Sequence, residues 1–174
     1  MKDTIKVSKD FYPGLGYDYK FGVFYRLKYE DDKLVVAHVT FPADDGMLQY
    51  YCAVTKKNKK VRPLRAAYEI FNEKALGFDE RVYAKDLDEN NWKADNVGVL
   101  PLDVVKKLAD ALYNVKNGVL VENKPNKPYT YVVKWKEKGK IRHKTVHDIT
   151  AVHRLKRIIM WKSYKLVSKY TVST

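Results

Sequence analysis

Six consecutive residues, Asn123-Lys-Pro-Asn-Lys-Pro128, contain two prolines and no apolar side chain. Proline fixes φ and removes an N–H donor, so such a stretch neither continues a helix nor lies inside a central strand. It predicts a linker over 123–128 that joins a domain of residues 1–122 to a second one of residues 129–174. At 174 residues, the chain has material for one good core or for two small ones.

Charge is distributed unequally about that break. Residues 129–174 hold twelve Lys or Arg against two acids, Glu137 and Asp148, a net +10 out of +13 for the whole chain. Charge gathered at one end of a chain makes a local field that attracts polyanions such as nucleic acid or an anionic surface. Trp135, Trp161, Tyr164 and Tyr170 are interleaved with the cations. Aromatic faces add base stacking to phosphate contact, which favours nucleic acid as the partner. An ordinary solvated basic surface is the bland alternative.

The pattern beyond the linker is strand, turn, strand, helix. Tyr129–Trp135 is β-branched and aromatic, residues 136–140 (Lys-Glu-Lys-Gly-Lys) read as a turn, and Ile141–Val146 returns. Asp148 is a good N-cap for a helix to about Tyr170. On that helix Val152, Leu155, Ile159, Leu166 and Tyr170 share one face, while Arg154, Arg157, Lys165 and Lys169 fall opposite, with Trp161 among them.

The first 122 residues mix both element types. Strands are expected over Tyr17–Tyr29 and Lys33–Phe41 about an acidic turn at 30–32, then a hairpin from Met47–Thr55 to Lys60–Val61 across the lysine-rich 56–59. Pro63 opens a helix carrying Leu64, Ala67, Tyr68 and Phe71, Val82-Tyr83 is a short strand, and 86–96 is a polar loop. Pro101 and Asp103 open a second helix that Gly118 ends. The expected class is α+β, with small antiparallel sheets packed against helices.

A single cysteine, Cys52, excludes an internal disulfide framework and points to a reducing compartment. No apolar run approaches a membrane span, and the first residues carry no secretory h-region. The expectation is an intracellular protein with no membrane partner. Its abundance of Tyr, Lys and Asn suggests an AT-rich, viral coding genome, hence a host cytoplasm or a virion. His143, His147 and His153 are close in sequence but have only Asp148 as a nearby carboxylate, which leaves any metal unspecified.

The stretch from Val82 to Val97, Val-Tyr-Ala-Lys-Asp-Leu-Asp-Glu-Asn-Asn-Trp-Lys-Ala-Asp-Asn-Val, resembles the core of HNH endonucleases of the phage homing type. That family runs Val-x-His-x-Asp, Asn-Asn, four residues, then Asn-Leu, and Val82, Asp86, Asn90, Asn91 and Asn96-Val97 fall at matching offsets. Residues 46–60 look like the family's strand pair and 61–71 like its following helix, so roughly half the chain is covered. The departures lie at the chemistry. Ala84 stands where the resemblance places the catalytic histidine, Arg62 stands at the upstream histidine, and no histidine lies between His38 and His143. Hydrolysis of this kind needs a general base and a held divalent ion. Asp86 and Asp88 have the oxygen chemistry for Mg²⁺, but an alanine supplies no base. The resemblance therefore implies a catalytically degenerate scaffold, with no cofactor unless Asp86 and Asn91 still serve a Mg²⁺-dependent nuclease.

The C-terminal pattern is similar to the small DNA-binding domain of ethylene-response factors, through Tyr131-Val-Val-Lys-Trp135, Gly139-Lys140 and Asp148-Ile-Thr-Ala151. That resemblance implies that the sheet contacts DNA through Lys134, Lys136, Arg142 and Lys144, braced by the helix, though only two of its three strands are evident. The basic face of the helix (Arg154, Arg157, Trp161, Lys165, Lys169) is the competing contact surface. Three readings stand: a DNA-binding protein on an inactive HNH-like scaffold, a divergent metal-dependent HNH endonuclease, and a viral structural or host-inhibitory protein that binds an acidic protein.

Overall fold

The computed structural model describes residues 3–31, 33–52 and 55–171, with only the backbone of Tyr29. Asp32 of the expected acidic turn, Ala53 and Val54 of the expected strand, and the last three residues of the expected C-terminal module lie outside them. The fold is α+β, as the mixed periodicities predict. It consists of two compact units that divide between Leu100 and Pro101, earlier than the prolines at 125 and 128 suggest.

The N-terminal unit is built on an antiparallel meander of four strands, β1 (Ile5–Val7), β2 (Leu15–Asp18), β3 (Val23–Glu30) and β4 (Lys33–Thr40), in that spatial order. A single long strand over Tyr17–Tyr29 does not form. The Asp18 carboxylate accepts the N–H groups of Lys20 and Phe21 at 3.2 and 3.3 Å, and Gly22 closes the turn with a φ of +68°. An acidic side chain that bonds the backbone two and three residues on turns the chain despite the β-rich composition. The hairpin of β5 (Leu48–Cys52) and β6 (Lys57–Val61) follows, so the lysines expected in its turn mostly lie on a strand. Helix α1 (Pro63–Asn72) and the paired strands β7 (Glu80–Ala84) and β8 (Val97–Pro101) complete the unit.

Leu15, Tyr17, Phe24, Leu48, Val61, Ala66, Ala67 and Ile70 form its core, with Cys52 buried among them. One ion pair is set into this core. The Glu69 carboxylate, 2% exposed, accepts two bonds from the Arg65 Nε, one from Arg65 Nη2, one from the Leu76 N–H and one from the Tyr12 hydroxyl. Burial works to raise the Glu69 pKa, but these bonds and the guanidinium charge outweigh it and hold the carboxyl below its usual range.

The C-terminal unit consists of α2 (Leu102–Asn117), β9 (Leu120–Asn123), β10 (Tyr131–Glu137), β11 (Lys140–Val146) and α3 (Ile149–Tyr170). Residues 123–128 are therefore not an interdomain linker. They belong to the loop of the β9–β10 hairpin, closed by bonds from the Lys124 N–H to the Thr130 carbonyl and from the Lys127 N–H to the Lys124 carbonyl. Two prolines in a loop are as compatible with a hairpin as with a linker, and the short, exposed β9 supplies the third strand that periodicity did not show. The strands form one antiparallel sheet in the order β11-β10-β9. Alternation sends Tyr131, Val133 and Trp135 to the helices, where fully buried Val133 meets Val119, Val152, Leu155 and Ile159. The expected five-residue turn shrinks to Lys138-Gly139, both with positive φ, the two-residue connection that matches strand twist.

Helix α2 fastens this sheet with polar side chains. β10 loses its β9 partner after Lys134, and two residues on the Asn114 amide takes over the ladder. Its Oδ1 accepts the Lys136 N–H at 2.8 Å while its Nδ2 donates to the Lys136 carbonyl at 3.0 Å. One turn earlier the Asp110 carboxylate accepts the Gly139 N–H at 3.0 Å.

Two outcomes follow from these networks. Asn114→Ala removes the partner of the part-buried Lys136 N–H and C=O and should cost about 2 kcal/mol in urea unfolding, the low end of roughly 1–3 kcal/mol for each of the two orphaned groups. A loss under about 0.5 kcal/mol would show that water replaces the amide freely. The Glu69 pKa is lowered on folding, so its contribution is fully present above its ordinary value of 4.5 and is lost as pH falls through the depressed folded value. Thermal unfolding followed from neutral pH down through that range should therefore fall more steeply for the native chain than for Glu69→Gln.

Candidate nucleic-acid interface

Helix α3 begins where the sequence places it. The Asp148 carboxylate accepts the N–H groups of Thr150 and Ala151 at 3.0 and 3.3 Å, satisfying two of the orphan donors of the first turn. Val152, Leu155, Ile159 and Met160 pack on the sheet, and Ser163 is buried on the same side. At 100° per residue, Arg154, Arg157, Trp161 and Lys165 point the other way. They span twelve residues, about 16 Å along the axis.

Between Ile149 and Tyr170 there are six Lys or Arg and no acid. Among the described residues none of the six (Arg154, Lys156, Arg157, Lys162, Lys165, Lys169) is in an ion pair. Their charge is therefore not neutralised locally. Trp161 is 59% exposed in the middle of this face, with the Lys165 ammonium 5.0 Å from its ring centroid. Ile158 and Tyr164 are exposed beside it. Lys169 lies over the Tyr170 ring at 5.3 Å, at the end of the stripe. Across the whole C-terminal unit, residues 101–173 carry seventeen Lys or Arg against five acids, +12, while the remainder of the chain carries +1.

The four sheet candidates do not share a face. Lys134 opposes His143 and Lys136 opposes Ile141, so these side chains lie on the sheet face opposite Val133 and Trp135. Arg142 opposes Trp135 and Lys144 opposes Val133, which puts them on the helix-facing side of the edge strand, where they remain exposed. Two of the four are already engaged. Lys134 Nζ is 2.6 Å from Glu122 Oε1, and the Lys136 ammonium sits 4.9 Å from the Tyr113 ring centroid. Lys138 is in the turn, as the reading of 136–140 expects.

The HNH-like stretch is a tied loop between β7 and β8. Ala84 ends β7 at 4% exposure, its methyl packed. Asp86 Oδ2 accepts the Asn91 Nδ2 at 2.6 Å, and Oδ1 accepts the Asp88 N–H and the Asn96 Nδ2, each at 2.9 Å. Asn96, itself buried, accepts the Asp86 N–H and donates to the Asn91 carbonyl. Burial works to raise the Asp86 pKa, but the bonds from Asn91, Asp88 and Asn96 outweigh it and hold it below the usual carboxylate range. The loop is also fastened to its own unit. The Tyr17 hydroxyl donates to the Trp92 carbonyl, the Ala94 N–H donates to the Tyr19 carbonyl, and Trp92 leans on Phe24. A Cβ on Gly22 would come within 2.8 Å of the Lys93 nitrogen, so only glycine lets the loop approach.

Arg62, at the upstream histidine position, does share a small cleft of about 200 Å³ with Asn90 and Glu89. His38 lies exposed on β4. Among the described residues no group of three or more His, Cys, Asp or Glu side chains converges as a metal site. His143 shares the sheet face of Lys134, His147 Nδ1 is 3.3 Å from the Thr130 hydroxyl, and His153 is on α3 beside Arg154. Among the described residues no helix is long and apolar enough to cross a membrane. The chain matches no protein-family model, no curated protein and no solved structure.

Sequence reasoning missed Asn114 and Asp110 as hairpin fasteners, although two buried polar residues one turn apart amid apolar helix positions are a readable signal. Ala84→His follows directly from the loop geometry. The imidazole enters a packed site and should destabilise the N-terminal unit by about 1–3 kcal/mol, measured by denaturant unfolding. Unchanged stability would mean that the loop opens readily around Ala84.

Proposed function

We propose that residues 101–171 form a nucleic-acid-binding module, with DNA as the expected partner, that grips the phosphate backbone with the outward face of α3. The carrying observation is a 22-residue helix with no acid, six cations that form no ion pair among the described residues, and an exposed tryptophan in their midst. Each cation placed near a phosphate displaces a condensed counterion, and that entropy gain drives sequence-independent affinity. Trp161 adds a flat apolar face for a sugar or a base.

The order of three antiparallel strands followed by a helix supports the likeness to ethylene-response-factor domains. Charge nevertheless favours the helix over the sheet as the contact surface. Recruiting Lys134 requires breaking its pair with Glu122, whereas Arg154 and Arg157 lose only water and Lys165 carries its full charge beside the Trp161 ring. We assign the N-terminal unit a scaffold role. Its HNH-like loop has Ala84 in place of the base, and its Asp86 oxygens are occupied by Asn91, Asn96 and the Asp88 N–H.

Six phosphate contacts give a slope of log K against log salt of about −5, at roughly 0.9 per contact. The slope should be about −5 in anisotropy titrations of a labelled DNA duplex. It should shrink by roughly 2.7 in the triple variant Arg154→Gln, Arg157→Gln, Lys165→Gln, with circular dichroism unchanged because all three side chains are exposed. A salt-independent affinity, or a triple variant that binds like the native chain, would refute the assignment.

A further inference from the structure

We propose that the groove between α2, the tip of the β10–β11 hairpin and α3 receives an unpaired base, so that the preferred ligand is single-stranded nucleic acid. This rests on the nucleic-acid reading above and narrows it. The groove encloses about 460 Å³, within the range of roughly 300–1,000 Å³ typical of small-ligand sites. Trp135, Ile158 and Ile159 give it an apolar wall, and Lys138 and Lys162 stand at its rim.

Three features fit a base in particular. An indole beside aliphatic side chains is a stacking surface for any base, because every base has a π face. The Trp135 indole N–H has no hydrogen-bond partner among the described residues, which leaves a donor for a base edge. The groove's acids are committed elsewhere: Asp110 holds the Gly139 N–H at 3.0 Å, and Glu137 faces Arg142 at 3.9 Å. Lys138 and Lys162 are in no ion pair among the described residues. The rim is therefore cationic where a backbone would pass.

The groove is also continuous with the stripe on α3. At 100° per residue Ile158 lies about 40° and Lys162 about 80° around the helix from Arg154. A strand whose phosphates follow Arg154 and Lys165 therefore passes the groove's lip at Ile158 and Lys162, where one base turned inward would stack on Trp135. A duplex presents no free base there without unstacking, which costs a few kcal/mol. A single strand presents one at no such cost.

The test compares three fluorescein-labelled probes of the same length on the full chain: an oligothymidylate of about fifteen nucleotides, an oligomer with abasic units in place of the thymidines, and a duplex. The oligothymidylate should bind about tenfold more tightly than the abasic oligomer, the size of one stacked base. Trp135→Leu should abolish that preference. Ile158→Asn, at an exposed position that leaves the core intact, should reduce it to within about twofold. Equal affinity for the thymidylate and abasic probes, or a duplex bound as tightly as the single strand, overturns the groove while leaving the phosphate-binding helix standing. Absence of salt-dependent binding to all three probes overturns the underlying reading as well.

Discussion

The Asn114 amide on the backbone of Lys136 is the contact on which the C-terminal unit turns. β10 is seven residues long but β9 covers only four of them, so the hairpin's far end would leave part-buried peptide groups unpaired along that edge. Buried peptide groups without partners cost more than almost any other local defect. A carboxamide with one acceptor and one donor reproduces the missing strand residue at 2.8 and 3.0 Å. Asp110 extends the same edge to the turn. With α2 fixed in this way, α3 packs beside it over Val133, and the rotation of α3 is set: Val152, Leu155 and Ile159 face inward, and the cations must face out. A polar clamp thereby decides where the positive field points.

That field carries an internal cost. Twelve net positive charges on residues 101–173 repel one another, and self-repulsion destabilises a compact state. The fold relieves the cost unevenly. On the sheet, Glu122 and Glu137 sit near Lys134 and Arg142, and Tyr113 offers its ring to Lys136. On α3 the relief seen among the described residues comes from aromatic rings, Trp161 under Lys165 and Tyr170 under Lys169. A ring quadrupole attracts a cation without removing its charge, so those lysines stay available to an incoming anion. The N-terminal unit and Thr174 together, at +1, are nearly neutral by comparison.

Much of this was readable from the residues. Helices α1, α2 and α3 follow from 3.6-residue periodicity with Pro63, Gly118 and Asp148 as punctuation, and the outward face of α3 follows from the same angles. What was not readable depends on partners distant in sequence. β9 is exposed along its length and has no alternation, so only its pairing with β10 makes it a strand. The break at Leu100 is hard to see because the Pro101 that opens α2 carries the same turn signal as the prolines at 125 and 128, while α2 meets the C-terminal unit through buried Leu108 and Ala111 as well as Asp110 and Asn114. Strand alternation did place Lys134 and Lys136 together, but grouping them with Arg142 and Lys144 ignored the register across the hairpin. In the N-terminal unit, the asparagines of the HNH-like stretch sit at the family's offsets, and here they hold the loop closed on itself and on the sheet.

The choice between helix and sheet as the gripping surface comes down to what each must give up. A lysine already paired at 2.6 Å gains little when a phosphate replaces a carboxylate, since one anion is exchanged for another. A lysine or arginine in water on α3 gives up only hydration and side-chain freedom, and the nucleic acid releases a counterion for each contact. With Lys134 paired to Glu122 and the six cations of α3 in no ion pair among the described residues, that difference recurs along α3. The groove proposed to receive a base extends the same logic. Its walls are apolar and its acids are bound, so a base entering it displaces water from Trp135 and Ile158 without stranding a charge.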